Sequence, residues 1–192
     1  MARINVSMKN ELLKSINEES EKSGKTVSSL LSEAAVIYLE TKKVWVRADE
    51  VLSSLKLLGI MKEINSVPIP GILLDNLIKI ACNSSEEEVI KRWYERGQVI
   101  GDILKKYSHN LKDVVDLITE YSPLLPMDIF EVEMEGDVTS MVISGAGYSI
   151  EAAKCTAEGL RGFLKSYGYA VEKMEFSEGF VKMVAKSISI SS

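Results

Sequence analysis

The chain has 192 residues, 46% of them hydrophobic and 27% charged, which is enough apolar material for one large or two small cores. A net charge of −5 argues against a surface that grips nucleic acid over its whole area. There is no run of roughly eighteen apolar residues, and the charged opening lacks the apolar stretch of a secretory signal, so a cytoplasmic protein is expected. The charge is uneven. Residues 1–47 hold eight Lys or Arg against six Asp or Glu, and the remainder holds fifteen against twenty-two. A slightly basic head on an acidic body suggests two tasks in two places.

The first element is "RINVSM", residues 3–8, where Ile4, Val6 and Met8 alternate with Arg3, Asn5 and Ser7. This period of two predicts a strand. Arg and Asn are unusual on its polar face, because their hydrogen-bonding forks fit the edges of guanine and adenine. Asn10 then reads as an N-cap, and Leu12, Leu13 and Ile16 mark a short amphipathic helix to about Ser23. Gly24 supplies a left-handed C-cap. Thr26 caps a second helix whose apolar stripe is Val27, Leu30, Leu31, Ala34, Ala35, Tyr38 and Leu39.

A segment of about forty-five residues is near the lower limit for an independent core, and a lone strand leaves its backbone groups unpaired. Antiparallel pairing with the same strand of a second copy solves both problems. It closes the helix pairs over Ile4, Val6 and Met8 and sets two copies of Arg3, Asn5 and Ser7 on one ribbon. Such a ribbon fits the major groove.

Residues 2–45 therefore resemble a ribbon-helix-helix DNA-binding domain of the Arc and MetJ type, through "RINVSM", the "SGKT" turn and "TVSSLLSEAAVIYL". The resemblance implies an intermolecular antiparallel β-ribbon in a homodimer, with Arg3, Asn5 and Ser7 reading bases. It implies phosphate anchoring at the start of the second helix, by the backbone at Thr26, Val27 and Ser28, with Lys25 and Lys9 adding charge. The acidic first helix, with Glu11, Glu18, Glu19 and Glu21, would face away from the phosphates. The implied function is a sequence-specific transcriptional regulator, such as a repressor, acting on double-stranded DNA. An antitoxin or DNA-segregation protein is the alternative. Nickel-responsive members of that family use several histidines and a cysteine, whereas this chain has one His.

On this reading residues 1–45 form the DNA-binding and dimerisation domain. Residues 46–192 form a body that senses a small molecule, binds a protein effector or holds dimers together. "TKKVWVR", residues 41–47, extends the second helix or links to the body, with Trp45 packing at the junction. Apolar periodicity predicts helices over residues 49–64, 72–82, 85–107 and 110–121. Ser84 or Ser85 caps the third of these, and Glu86, Glu87 and Glu88 suit the positive end of its dipole. His109 reads as a surface or capping residue.

The tail predicts a hairpin ("IFEVEME", turn "GDVT", "SMVISG"), a helix from Ser149 to Gly168, and a second hairpin turning at Ser177–Gly179. The expected fold class is α+β: the ribbon-helix-helix, a helical middle segment, and a ββαββ antiparallel sheet with one covering helix. "SGAGYS", residues 144–149, reads as a tight strand-to-helix connection, with an anion cradle at the helix start as the alternative. Cys82 and Cys155 are expected as buried free thiols, with neither a disulfide nor a metal site. No nucleophile elbow, phosphate loop or paired-carboxylate motif suggests an enzyme, and nothing calls for a cofactor.

Overall fold

The computed structural model describes residues 6–44, 48–122, 125, 127–145 and 149–188. Arg3, Ile4, Asn5 and Trp45, on which the ribbon and linker expectations turn, lie outside the described residues. The fold is mixed α+β, with six helices among the described residues and a four-stranded antiparallel sheet near the C-terminus. The chain divides into two compact units, residues 1–53 and 54–192.

The first unit holds α1 (Asn10–Ser23) and α2 (Val27–Val44). Helix α1 starts one residue earlier than its expected cap requires. Asn10 is already helical, and Lys9 sits at the N-cap in extended conformation with no side-chain cap bond. Gly24 ends α1 with φ 69°, a left-handed conformation that disfavours a residue with a Cβ. Thr26 caps α2 as predicted: its hydroxyl accepts from the Ser29 N–H at 3.2 Å. Helix α2 continues through Lys42 and Lys43, so the first part of "TKKVWVR" is helical.

Helix α3 (Ala48–Glu63) carries the unit boundary within it, and α4 (Gly71–Leu104) follows. Two separate helices were expected where α4 runs, and the structure shows why the distinction was partly real. Ser85 breaks the helix with φ −162° and ψ 88°, the extended geometry of an N-cap. Glu86, Glu87 and Glu88 then open the second half. Helix α5 (Leu111–Tyr121) is capped by Asn110, whose side-chain oxygen accepts from the Asp113 N–H at 2.9 Å. His109 is exposed beside that cap, as its place in the sequence suggested.

The sheet comprises β1 (Ile129–Glu135), β2 (Val138–Ser144), β3 (Tyr169–Ser177) and β4 (Phe180–Ser187), in the order β1-β2-β4-β3. The first hairpin turn is tighter than expected, because Val138 and Thr139 already belong to β2 and Gly136 takes φ 59°. In β3 the inward residues are Tyr169 and Val171, then Met174 and Phe176, so the alternation slips by one. The pairing register shifts at the same place, between Val171 and Lys173. The extra residue, Glu172, is a β-bulge that keeps both apolar pairs on one face.

Helix α6 (Ile150–Ser166) covers the sheet. Ala153, Ala157 and Leu164 cluster with Met141, Val181, Met183 and Ala185, and Leu111, Val114 and Val115 of α5 complete the core. Against α4, α6 makes backbone contact. A Cβ at Gly97 would lie 1.9 Å from the Gly159 carbonyl oxygen, and one at Gly162 would lie 2.0 Å from that of Tyr94. No side chain fits between these helices at those points.

Gly97→Ala or Gly162→Ala is expected to cost about 3 kcal/mol or more, because the opposing atom is backbone and cannot rotate away. Gly59→Ala, in α3 with open space around it, should instead stabilise by about 0.5–1 kcal/mol. Thr139 is fully buried in β2 and its hydroxyl has no partner. Thr139→Val should therefore raise stability by roughly 1 kcal/mol. Denaturant midpoints of the four variants check all three expectations.

Candidate nucleic-acid interface and apolar cavity

The residues assigned to DNA contact fall into two groups. Ser7 and Lys9 lead into α1 and are exposed; Val6–Met8, expected as strand, are not strand in the single chain and pair with none among the described residues. Lys25, Thr26, Val27 and Ser28 sit together at the turn that starts α2. Val27 and Ser28 lie in the first turn, where amides lack intrahelical partners. Lys25 Nζ is engaged with Glu33 Oε2 at 2.7 Å, a half-exposed pair in which an acidic residue competes for the charge. Arg3 and Asn5 lie outside the described residues.

The start of α6 holds an internal anion. Of the "SGAGYS" stretch, residues 146–148 lie outside the described part. Ser149 donates to Asp75 Oδ1 through both its N–H at 2.9 Å and its hydroxyl at 2.5 Å. The same hydroxyl accepts from the Ala152 N–H, capping α6. Asp75 is buried on α4, and its other oxygen meets Lys79 Nζ at 2.8 Å. The Lys79 ammonium, then the Ser149 hydroxyl, hold this carboxyl down at a pKa of about 2. Asp75 therefore occupies the place at Ser149 that an anion at the helix start would take.

Cys82 and Cys155 are both free thiols, Cys155 buried and Cys82 partly so. They pack in one small cluster with Ile78, Ala152 and Trp93, where the first half of α4 meets α6. Burial pushes the Cys155 thiol up to about 12 and raises that of Cys82 as well, so neither is a nucleophile at neutral pH. Among the described residues no group of three or more His, Cys, Asp or Glu could hold a metal ion. Nor is any helix among them long and apolar enough to cross a membrane.

The second unit contains an apolar cavity of about 540 Å³, walled by Trp93, Ile100 and Leu104 of α4, Ile118 of α5, Phe130 and Met141 of the sheet, and Leu160 and Phe163 of α6. A second cavity of about 270 Å³ adjoins it and shares Ile118, Phe130, Thr156 and Leu160. Its far end is lined by Leu125, Met127, Gly179 and Phe180. Arg92 and Arg96 stand at the α4 edge of the larger cavity. No local sequence signal marks these residues, because six elements contribute them and each side chain reads in isolation as ordinary core.

No protein-family model matches the chain, and no curated protein matches it in sequence.

Because Asp75 is more acidic in the fold than its ordinary value of 3.8, its contribution to stability is complete above about pH 4. It is lost as the pH falls through about 2, and amounts to roughly 2 kcal/mol. Asp75→Asn should remove that part of the acid dependence and lower stability at neutral pH, as urea unfolding between about pH 2 and 7 will show.

Proposed function

We propose that the protein is a dimeric, sequence-specific DNA-binding regulator of transcription, paired through residues 3–8 and reading the major groove with the resulting ribbon. The observation that carries this reading is the first unit taken with its leading sequence. A helix closed by left-handed Gly24 and a helix opened by Thr26 follow an alternating stretch of Arg, Asn and Ser. No residue of α1 is buried, and Leu12, Leu13, Ile37 and Leu39 are exposed. The members of the two apolar stripes among them, Leu12, Leu13 and Leu39, together with Tyr38, stay uncovered in one chain and call for a second copy over them. Pairing about a two-fold axis covers them and satisfies the backbone of residues 3–8 together.

In this arrangement Arg3, Asn5 and Ser7 of both copies face base edges, and the backbone at Thr26, Val27 and Ser28 holds a phosphate through unpaired amides and the helix dipole. Lys9 and Lys25 add sequence-independent attraction. The body, with its compact α+β unit, is larger than the short tail of an antitoxin, which favours the regulator over that alternative.

Selection of bound sites from a random duplex pool tests the reading, with enrichment of a two-fold symmetric site as the expected outcome. Arg3→Ala and Asn5→Ala should each cost about 1–3 kcal/mol on the selected site and relax base preference. Equal binding of wild type and both variants to every duplex would reject base reading by the ribbon. Lys25→Ala should weaken all duplexes alike and reduce the salt slope by about one. Glu33→Gln, which frees Lys25 from its ion pair, should strengthen all duplexes a few-fold.

A further inference from the structure

We infer that the second unit binds an anionic amphiphile, with its alkyl chain in the joined apolar cavities and its head at Arg96. The two cavities have linings that meet. They share Ile118, Phe130, Thr156 and Leu160 and run from the α4 edge, at Arg96, to the β3–β4 turn at Gly179 and Phe180. Their combined size falls in the range of ligand sites that bury most of a small molecule. The lining is almost wholly apolar, so the buried part of the ligand must be hydrocarbon, and water gains little by entering.

The two arginines at the mouth are not equivalent. Arg92 is engaged by Glu88 at 2.7 Å and approached by Glu95 at 3.9 Å, so its charge is already answered. Arg96 donates through Nη2 to the Ile64 carbonyl oxygen at 3.0 Å. Among the described residues no carboxylate lies within ion-pair distance of it. That single backbone bond orients the guanidinium and leaves most of its donors free for a carboxylate or phosphate head. A positive group at the rim of a hydrocarbon-lined cavity selects a chain that ends in an anion over one that ends in a hydroxyl or a cation.

The test uses the full chain without DNA, so that its outcome is independent of the DNA reading. Calorimetry with laurate below its micellar concentration is expected to show one molecule per chain. Dodecanol should bind more weakly, and dodecyltrimethylammonium weakest. Arg96→Gln should weaken laurate about tenfold and change dodecanol less than about twofold. Arg161→Gln, an exposed arginine paired with Glu158 and outside both cavities, serves as the charge control and should leave laurate binding unchanged. Leu160→Trp, which fills the shared wall, should abolish binding of all three. If its circular dichroism shows that it does not fold, Arg96→Gln against Arg161→Gln decides. No laurate binding to the folded wild type would overturn the inference. So would equal affinity for laurate and the quaternary ammonium, or the same effect of both arginine substitutions.

Discussion

The second unit depends on the backbone contact between α4 and α6. Gly97 against the Gly159 carbonyl and Gly162 against the Tyr94 carbonyl bring two helices closer than side chains permit. Interaxial distance between helices is set by the side chains at the crossing, and glycine on both partners removes them. The consequences spread outward. With α6 drawn onto α4, its other side is presented to the sheet, where Ala153, Ala157 and Leu164 meet Met141, Val181 and Met183. Small residues on α6 are thus needed on two sides at once, and the helix supplies Ala and Gly to both.

The same crossing explains why a cavity lies beside a close-packed core. Where glycines let the helices touch, the large side chains that flank the contact (Trp93, Ile100 and Phe163) are left to line the space at its edge rather than fill it. Asp75 and Ser149 then tie the first half of α4 to the start of α6 on the far side of the Ser85 break. One helix pair is therefore fastened by backbone contact in its second half and by a buried carboxylate in its first. The core, the tie and the cavity are three results of one helix pairing.

Much of the architecture was legible in the chain because it is written in local pattern. The alternation in "IFEVEME" and "FVKMVA", the caps at Thr26, Asn110 and Ser149, and the left-handed glycines at 24 and 168 each act within a few residues. Even the kink at Ser85 showed as a change between two helical stripes. What escaped was long-range. "GQVIG" carries glycines four apart on one helix face, a visible signal, yet its meaning depends on Gly159 and Gly162 more than fifty residues later. The pairing of Asp75 with Ser149 and the neighbourhood of Cys82 and Cys155 span 70 residues or more, and no local rule connects them. The cavity, its lining and its arginine had no local signature, because separate elements contribute them. At the other end of the chain the resemblance, not the alternation by itself, implies base reading by Arg3, Asn5 and Ser7, and the turn at Gly24 and Thr26 has the expected geometry.

The two units differ in chemistry. The first is short, exposes apolar positions and sets Lys25 beside the amides that start α2, whereas the second buries its core and carries a hydrocarbon-lined cavity. The proposed reading of DNA requires that residues 3–8 form an ordered edge only when two chains meet. Amide hydrogen exchange of residues 3–8, followed as protein concentration is raised through the association range, reports on that edge. Protection that grows with concentration, in step with the appearance of dimer, is the expected result. Exchange at the unfolded rate at every concentration, or protection that does not depend on concentration, would contradict pairing between copies and remove the surface proposed to read DNA.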